Sequence, residues 1–278
     1  MRPTQERTKA IQAAEKRLVE LSNELQKKYF DKVWRSISGS ISASGNSITR
    51  ITQNPIFVQA WKEIVGRGIS KFLKEEFTKI EEKATSYYSQ YTPPTLDFKT
   101  VKEIVLTKLN NNIQQFAAAY NINTSVATAT RNFAVSQISA GKSFAEVRDA
   151  TESFIVGTGQ RLGVVDNYNL VQNRVQDTFA QFDRTMSNQY ATQLQLNYFI
   201  YQGGEILTTR SFCEERKAGV FTREQGVSWN ALDWDGKMSG DVMQHAGGYN
   251  CRHYFDWISY ELAVQLNPNI ELSIFDVK

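Results

Sequence analysis

The hydrophobic pattern of this chain changes period near residue 196, and that change constrains the fold more than any other feature. Before it, apolar residues recur at helical spacing. Ile11, Ala14, Leu18, Leu21 and Leu25 step by three and four, and Tyr29, Val33 and Ile37 continue at steps of four. This narrow stripe predicts a long helix over 5–35 whose apolar side packs on another helix. After the change, Leu196, Tyr198 and Ile200 alternate with Asn197, Phe199 and Tyr201, and Gly203-Gly204 follows. Alternation ending in a glycine pair predicts a strand and a turn. The expected fold is α+β and predominantly α-helical: long helices, then a small irregular C-terminal α+β module over 205–258.

Breaker residues divide the helical part. The uncharged run from Ser36 to Gly45 is rich in Ser and Gly and reads as a flexible connection. Asn54-Pro55 predicts a helix start, Asn as cap and Pro at the first helical position. Its apolar face would carry Phe57, Trp61, Ile64, Phe72, Ile80, Tyr87 and Tyr91, weakened by Gly66 and Gly68. Thr92-Pro93-Pro94-Thr95 marks the expected boundary between a helical region 1–92 and a second region 97–278. Helices are expected over 97–120 and 124–140, the second ending at Gly141. Ser143-Phe144-Ala145-Glu146 forms a capping box, Gly157-Thr158-Gly159 a turn, and a long helix runs from about Val164 to Gln193.

With 41% hydrophobic and 22% charged residues, the chain reads as a soluble globular protein rather than a disordered one. No run approaches the length of a membrane span, and the charged N-terminus lacks the apolar centre of a signal peptide. Residues 1–92 hold sixteen Lys/Arg and ten Asp/Glu, a net of +6, while the remainder nets −3. A basic front on a mildly acidic body suggests that the two parts face different partners.

The inventory of soft donors is concentrated. The chain has two cysteines and two histidines, and all four, Cys213, His245, Cys251 and His253, fall in one short stretch. Two Cys and two His are the donor set of a closed structural Zn²⁺ site, which would staple a small Gly-rich module. Only Cys251 and His253 are closely spaced, so buried thiols and hydrogen-bonded histidines are the competing reading. A thiol hydrolase using Cys213, or a nuclease pairing His245 or His253 with Asp233, Asp235 or Asp241, would also draw on these residues. No recognisable catalytic motif surrounds them, and an enzyme is not expected.

One ordered set of residues suggests a family. Gly141-Lys142-Ser143-Phe144 is followed by Asp177, Phe182 and Arg184 on the long helix, then by Tyr201 on the aromatic strand. Thr209-Arg210-Ser211-Phe212-Cys213, Gly219-Val220-Phe221-Thr222 and Gly247-Gly248-Tyr249-Asn250-Cys251-Arg252-His253 come next. Over about residues 138–258 the chain resembles the C-terminal domain of the Mu F-like minor head, or head-morphogenesis, proteins of tailed phages. Many members end this motif with His-Pro-Asn-Cys-Arg-Cys. Here His253 stands in place of the last cysteine, and His245 lies further upstream than the usual histidine.

The resemblance implies a low-copy structural or assembly protein of the virion, at the portal or the capsid interior, and a candidate for ejection with the DNA. Its expected partners are the portal, other head proteins, packaged DNA and copies of itself. Its expected locations are the phage head and, during assembly, the host cytoplasm. Arg210 and Arg252 would tie loops together as forked donors. The alternative is a phage-encoded zinc-dependent nuclease or hydrolase.

Overall fold

The computed structural model describes residues 3–42, 55–107, 124–158, 161–162, 172–204, 207 and 209–274. Helices dominate, and a small three-stranded antiparallel sheet lies towards the C-terminus, so the chain is a predominantly helical α+β protein. No helix among the described residues is long and apolar enough to cross a membrane.

Helix α1 spans Pro3–Ser42. Ile11, Ala14, Leu18, Leu25, Tyr29, Val33 and Ile37 are buried along it as the stripe predicts, and Leu21 is half-buried. The helix continues through 36–42, where a flexible connection was expected. The step-of-four series explains this, because Ile37 is fully buried and its packing outweighs the ~1 kcal/mol that a glycine such as Gly39 costs a helix. Residues 43–45 of that run lie outside the described residues.

The next helical run is α2, Ile56–Ala60, a wide π-helical turn Trp61–Gly66, and α3, Arg67–Tyr88. Pro55 already has helical angles, and its carbonyl accepts from the Val58 and Gln59 amides. Asn54, the expected cap, lies outside the described residues. Phe57, Trp61 and Ile80 are buried as expected, but Ile64, Phe72 and Tyr87 are only half-buried. The buried line is instead Val65, Ile69, Leu73, Phe77, Ile80, Ala84 and Tyr88. A π turn carries an extra residue, so it rotates the face beyond it by about one position relative to an ideal helix.

Helix α4 begins at residue 98 and is described to 107. Helix α5, Thr124–Ser139, closes at Gly141 with φ +73°, and α6, Phe144–Val156, starts from the predicted capping box. Ser143 accepts from the Glu146 amide, and Glu146 accepts from the Ser143 amide at 2.8 Å. Strands β1, Gly157–Thr158, and β2, Arg161–Leu162, form a minute hairpin. Helix α7 spans Gln172–Gln193. The expected helical stretches 108–120 and 164–171 lie outside the described residues.

Packing groups the chain into two compact units, one of Met1–Ala14, Glu76–Ile113 and Gln176–Lys278, the other of Glu15–Glu75 and Gln114–Val175. Pro93 and Pro94 therefore lie inside the first unit rather than between regions 1–92 and 97–278. A double proline stops a helix without separating its flanks. Tyr88 before it and Phe98 after it stack on the same Tyr190 ring, at 5.2 and 5.8 Å. In the second unit, Tyr29 meets Trp61 edge-on at 5.3 Å and Phe133 stacks on Phe154 at 4.2 Å.

The sheet belongs to the first unit. Strand β3 is Tyr198–Gly203, β4 Val220–Thr222 and β5 His253–Ile258, in the order β4-β3-β5. Tyr198 pairs with Thr222 on one side and Ile258 on the other, and Gly203 pairs with His253. Phe199 and Tyr201 share one face, and around Phe199 the rings of Phe221, Trp229, Phe255 and Trp257 gather at 5.1–5.8 Å. Short helices α8, Ser211–Arg216, α9, Arg223–Ser228, α10, Val242–His245, and α11, Tyr260–Leu266, complete the module.

Candidate metal centre

The centre is built at the end of β3 where β5 begins. The backbones approach so closely at Gly203 that a Cβ there would lie 2.6 Å from the Arg252 carbonyl oxygen and 2.7 Å from His253 Cα. The glycine lets His253 enter the sheet with its ring parallel to that of Tyr201, 5.1 Å apart and 6° from coplanar orientation. Cys251 lies two residues before the strand. Cys213 reaches the same point from the first turn of α8, where its amide donates to the Arg210 carbonyl.

Three of the four expected donors meet here. The ligand atoms of Cys213, Cys251 and His253 all lie within 4.8 Å of one another, and all three residues are buried. The two Sγ atoms are 3.8 Å apart, and Cys251 Sγ is 3.8 Å from His253 Nδ1. Tyr201, fully buried, brings its hydroxyl to 3.3 Å from Cys213 Sγ and 3.9 Å from Cys251 Sγ. The Gly247 amide donates to Cys251 Sγ at 3.2 Å, and a Cβ at Gly247 would lie 2.2 Å from Cys213 Sγ. Only a glycine fits against the paired sulfurs.

His245, the fourth expected donor, is not a member of this cluster. It ends the short helix α10, and its Nε2 would be 2.9 Å from a Cβ at Gly240. Its Nδ1 is buried without a hydrogen-bond partner. Burial, with the positive charge of Arg184, holds its imidazole below the ordinary histidine range. Of the carboxylates that a nuclease would need, Asp233 and Asp235 are exposed, and Asp241, close enough to His245 to oppose that shift, caps α10 by accepting from the Met243 amide.

The loop that carries Cys251 is held from α7. Arg184, 1% exposed, donates from Nη2 to the Cys251 carbonyl at 2.6 Å, from Nε to the His253 carbonyl at 2.9 Å and from Nη1 to the Gln244 carbonyl at 3.2 Å. Asp177 accepts from the Asn250 amide at 2.7 Å, while burial raises its carboxyl above the ordinary range. The Trp234 indole donates to the Gly247 carbonyl. These fixings hold a backbone that enters the left-handed region at Ala246, Gly248 and Asn250.

Arg210 ties its loop to the next by donating from Nε to the Asp235 carbonyl at 2.9 Å, as the sequence suggested. Arg252 lines a pocket of about 140 Å³ together with Arg210, Cys213, Cys251 and His253, and its Nε is buried without a hydrogen-bond partner. Within the cluster, the hydrogen bond with the Cys213 sulfur, with His253 beside it, draws Cys251 well below the ordinary thiol range. The same bond, with burial, pushes Cys213 up.

Sequence reasoning placed Arg184 and Tyr201 only as points of family resemblance and assigned them no role here. For Arg184 a signal existed. Ala180, Ser187 and Ala191 share its buried helical face, and one arginine among small residues announces a charge with buried acceptors. Comparison with known proteins finds no matching family model, no matching curated protein and no matching solved structure.

Proposed function

We propose that this chain is a structural or assembly protein of a tailed-phage virion, a minor head protein acting at the portal or the inner capsid. One observation carries the reading beyond resemblance. The two halves of the motif, Thr209–Cys213 and Gly247–His253, meet side chain to side chain at 3.8 Å. Arg210, like the motif-associated Asp177 and Arg184, bonds to backbone groups of loops. Residues spent on holding backbone suit a module whose work is to keep its shape within an assembly.

The basic segment 1–92 then faces an acidic protein surface such as a portal. Its apolar stripe calls for packing, and ten acids dilute its sixteen basic residues. Strong, salt-sensitive binding of duplex DNA by the full chain, with about 0.9 log units of affinity lost per log unit of salt for each phosphate contacted, would reverse that preference. Quantitative proteomics of purified virions tests the main reading. The protein is expected in the particles at low copy, and its absence from them overturns the proposal.

The pocket beside Cys213, Cys251 and His253, edged by Arg210 and Arg252, is the observation that favours the second reading, a zinc-dependent nuclease or hydrolase. Metal-dependent hydrolysis of DNA by the purified chain, abolished in Cys251→Ser, would establish it.

A further inference from the structure

We infer that Cys213, Cys251, His253 and Tyr201 form a site for one divalent cation of the zinc class, with the Tyr201 oxygen, not His245, as the fourth donor. The inference is independent of the virion reading.

The geometry comes first. Zinc–ligand lengths of ~2.3 Å to sulfur and ~2.0–2.2 Å to nitrogen or oxygen, arranged tetrahedrally, imply edges of about 3.8 Å between sulfurs and about 3.5–3.6 Å from sulfur to nitrogen or oxygen. The structure has 3.8 Å between the sulfurs, 3.8 Å from Cys251 Sγ to His253 Nδ1, and 3.3 and 3.9 Å from the Tyr201 hydroxyl to the sulfurs. Four of the six edges of such a tetrahedron, contributed by three separate segments, are therefore close to the required length, and the Cys213 and His253 donor atoms lie within 4.8 Å of one another.

Their polar partners come second. Among the described residues, the four side chains hydrogen-bond, besides one another, to a single polar group, the Gly247 amide at Cys251 Sγ. Among the described residues the Tyr201 hydroxyl hydrogen-bonds to the two sulfurs alone. His253, 2% exposed, has sulfur near Nδ1 and, among the described residues, no hydrogen-bond partner at Nε2. Sulfur is a poor hydrogen-bond partner, and buried polar groups so weakly satisfied need an explanation. A cation at the centre gives each donor a strong bond at once.

The donor set selects the ion. Two soft sulfurs with an imidazole favour Zn²⁺ over Mg²⁺ or Ca²⁺, which prefer oxygen. Ligation by the cysteines releases their thiol protons to solvent, two thiolates then balance the charge of the ion, and Tyr201 binds through an oxygen lone pair as the neutral phenol, its proton retained. Arg184 and Gly247 hold the ligand-bearing backbone from outside, as supporting groups commonly do at metal sites.

The test starts with the unmodified full chain, purified without chelators, and so needs no variant to fold. Elemental analysis is expected to give one zinc per chain. Titration of stripped protein with Co²⁺ is expected to give visible bands of a tetrahedral ion and a thiolate-to-metal band, saturating at one equivalent. Less than half an equivalent of zinc together with no Co²⁺ spectrum overturns the site. Variants then assign the donors. His253→Ala should abolish the spectrum, and His245→Ala should leave it, with affinity changed by less than about threefold. Tyr201→Phe keeps the ring and should shift the visible bands while weakening affinity at least about tenfold. An unchanged Tyr201→Phe spectrum, or its loss in His245→Ala, overturns Tyr201 as fourth donor.

Discussion

Replacing Arg184 by methionine keeps most of the length and apolar contact of the side chain and removes all three of its bonds to carbonyl oxygens. Those bonds, at 2.6, 2.9 and 3.2 Å, end on Cys251, His253 and Gln244. Each buried carbonyl left without a donor costs about 1–3 kcal/mol. The 3.2 Å bond counts least, and removal of the charge relieves part of the expense of having buried it. The net loss should be about 3–5 kcal/mol. At about 2–4 °C of melting temperature per kcal/mol, that is a fall of roughly 6–20 °C in a thermal melt followed by circular dichroism. Hydrogen exchange should accelerate first in 244–253. Lysine at the same place is a point charge without a fork and should recover about one bond of the three. A methionine variant within about 1 kcal/mol of wild type, or a lysine variant indistinguishable from it, would refute the reasoning.

Three further outcomes are expected. Gly68→Ala sets a Cβ 2.8 Å from both methyl carbons of buried Leu25, so overpacking should outweigh the ~1 kcal/mol gained in helix propensity. The substitution should lower the melting temperature alone and raise it in a Leu25→Ala background, and equal effects in both backgrounds would refute the contact. Ser143→Ala removes the cap of α6 and should cost about 1 kcal/mol in a melt, while Ser143→Asp should not. His245 has its folded pKa lowered by burial and Arg184, against the opposing pull of Asp241, so the unfolded chain takes up its proton first as pH falls. Its contribution to stability is therefore present above about pH 6.5 and lost on acidification through the lowered folded value. The difference in melting temperature between wild type and His245→Gln should shrink or reverse between about pH 7.5 and 5, and a constant difference would contradict the shift.

What the sequence made legible was whatever depends on local spacing. The stripe from Ile11 to Ile37, the capping box at Ser143, the closure at Gly141 and the strand around Phe199 all rest on residues within a turn or two of one another. The face of α3 was only partly legible: Ile80 was placed, but the wide turn at Trp61–Gly66 moves the buried line from Ile64, Phe72 and Tyr87 to Val65, Leu73 and Tyr88, and a uniform helical period cannot anticipate that. The run from Ser36 to Ser42 was misread because composition says nothing of what Ile37 packs against. Of the centre, the soft donors Cys213, Cys251 and His253 could be found by inventory. That Tyr201 and not His245 joins them depends on the pairing of Gly203 with His253, a contact fifty residues long.

That long pairing also sets an order in time. Strand β3 is the middle strand, and its first partner, β4, follows within twenty residues, while β5 comes only with His253. At translation speeds of about 5–20 residues per second, β3 waits roughly 3–10 seconds with one edge open and the Phe199 and Tyr201 face lacking its β5 cover. During that interval the nascent chain offers a ready template to any other extended segment, including another copy of itself. Completion of the sheet, and with it the meeting of Cys213 and His253, therefore waits on the synthesis of β5. Slowing elongation between residues 204 and 252 should lengthen the exposed interval and lower the yield of soluble protein.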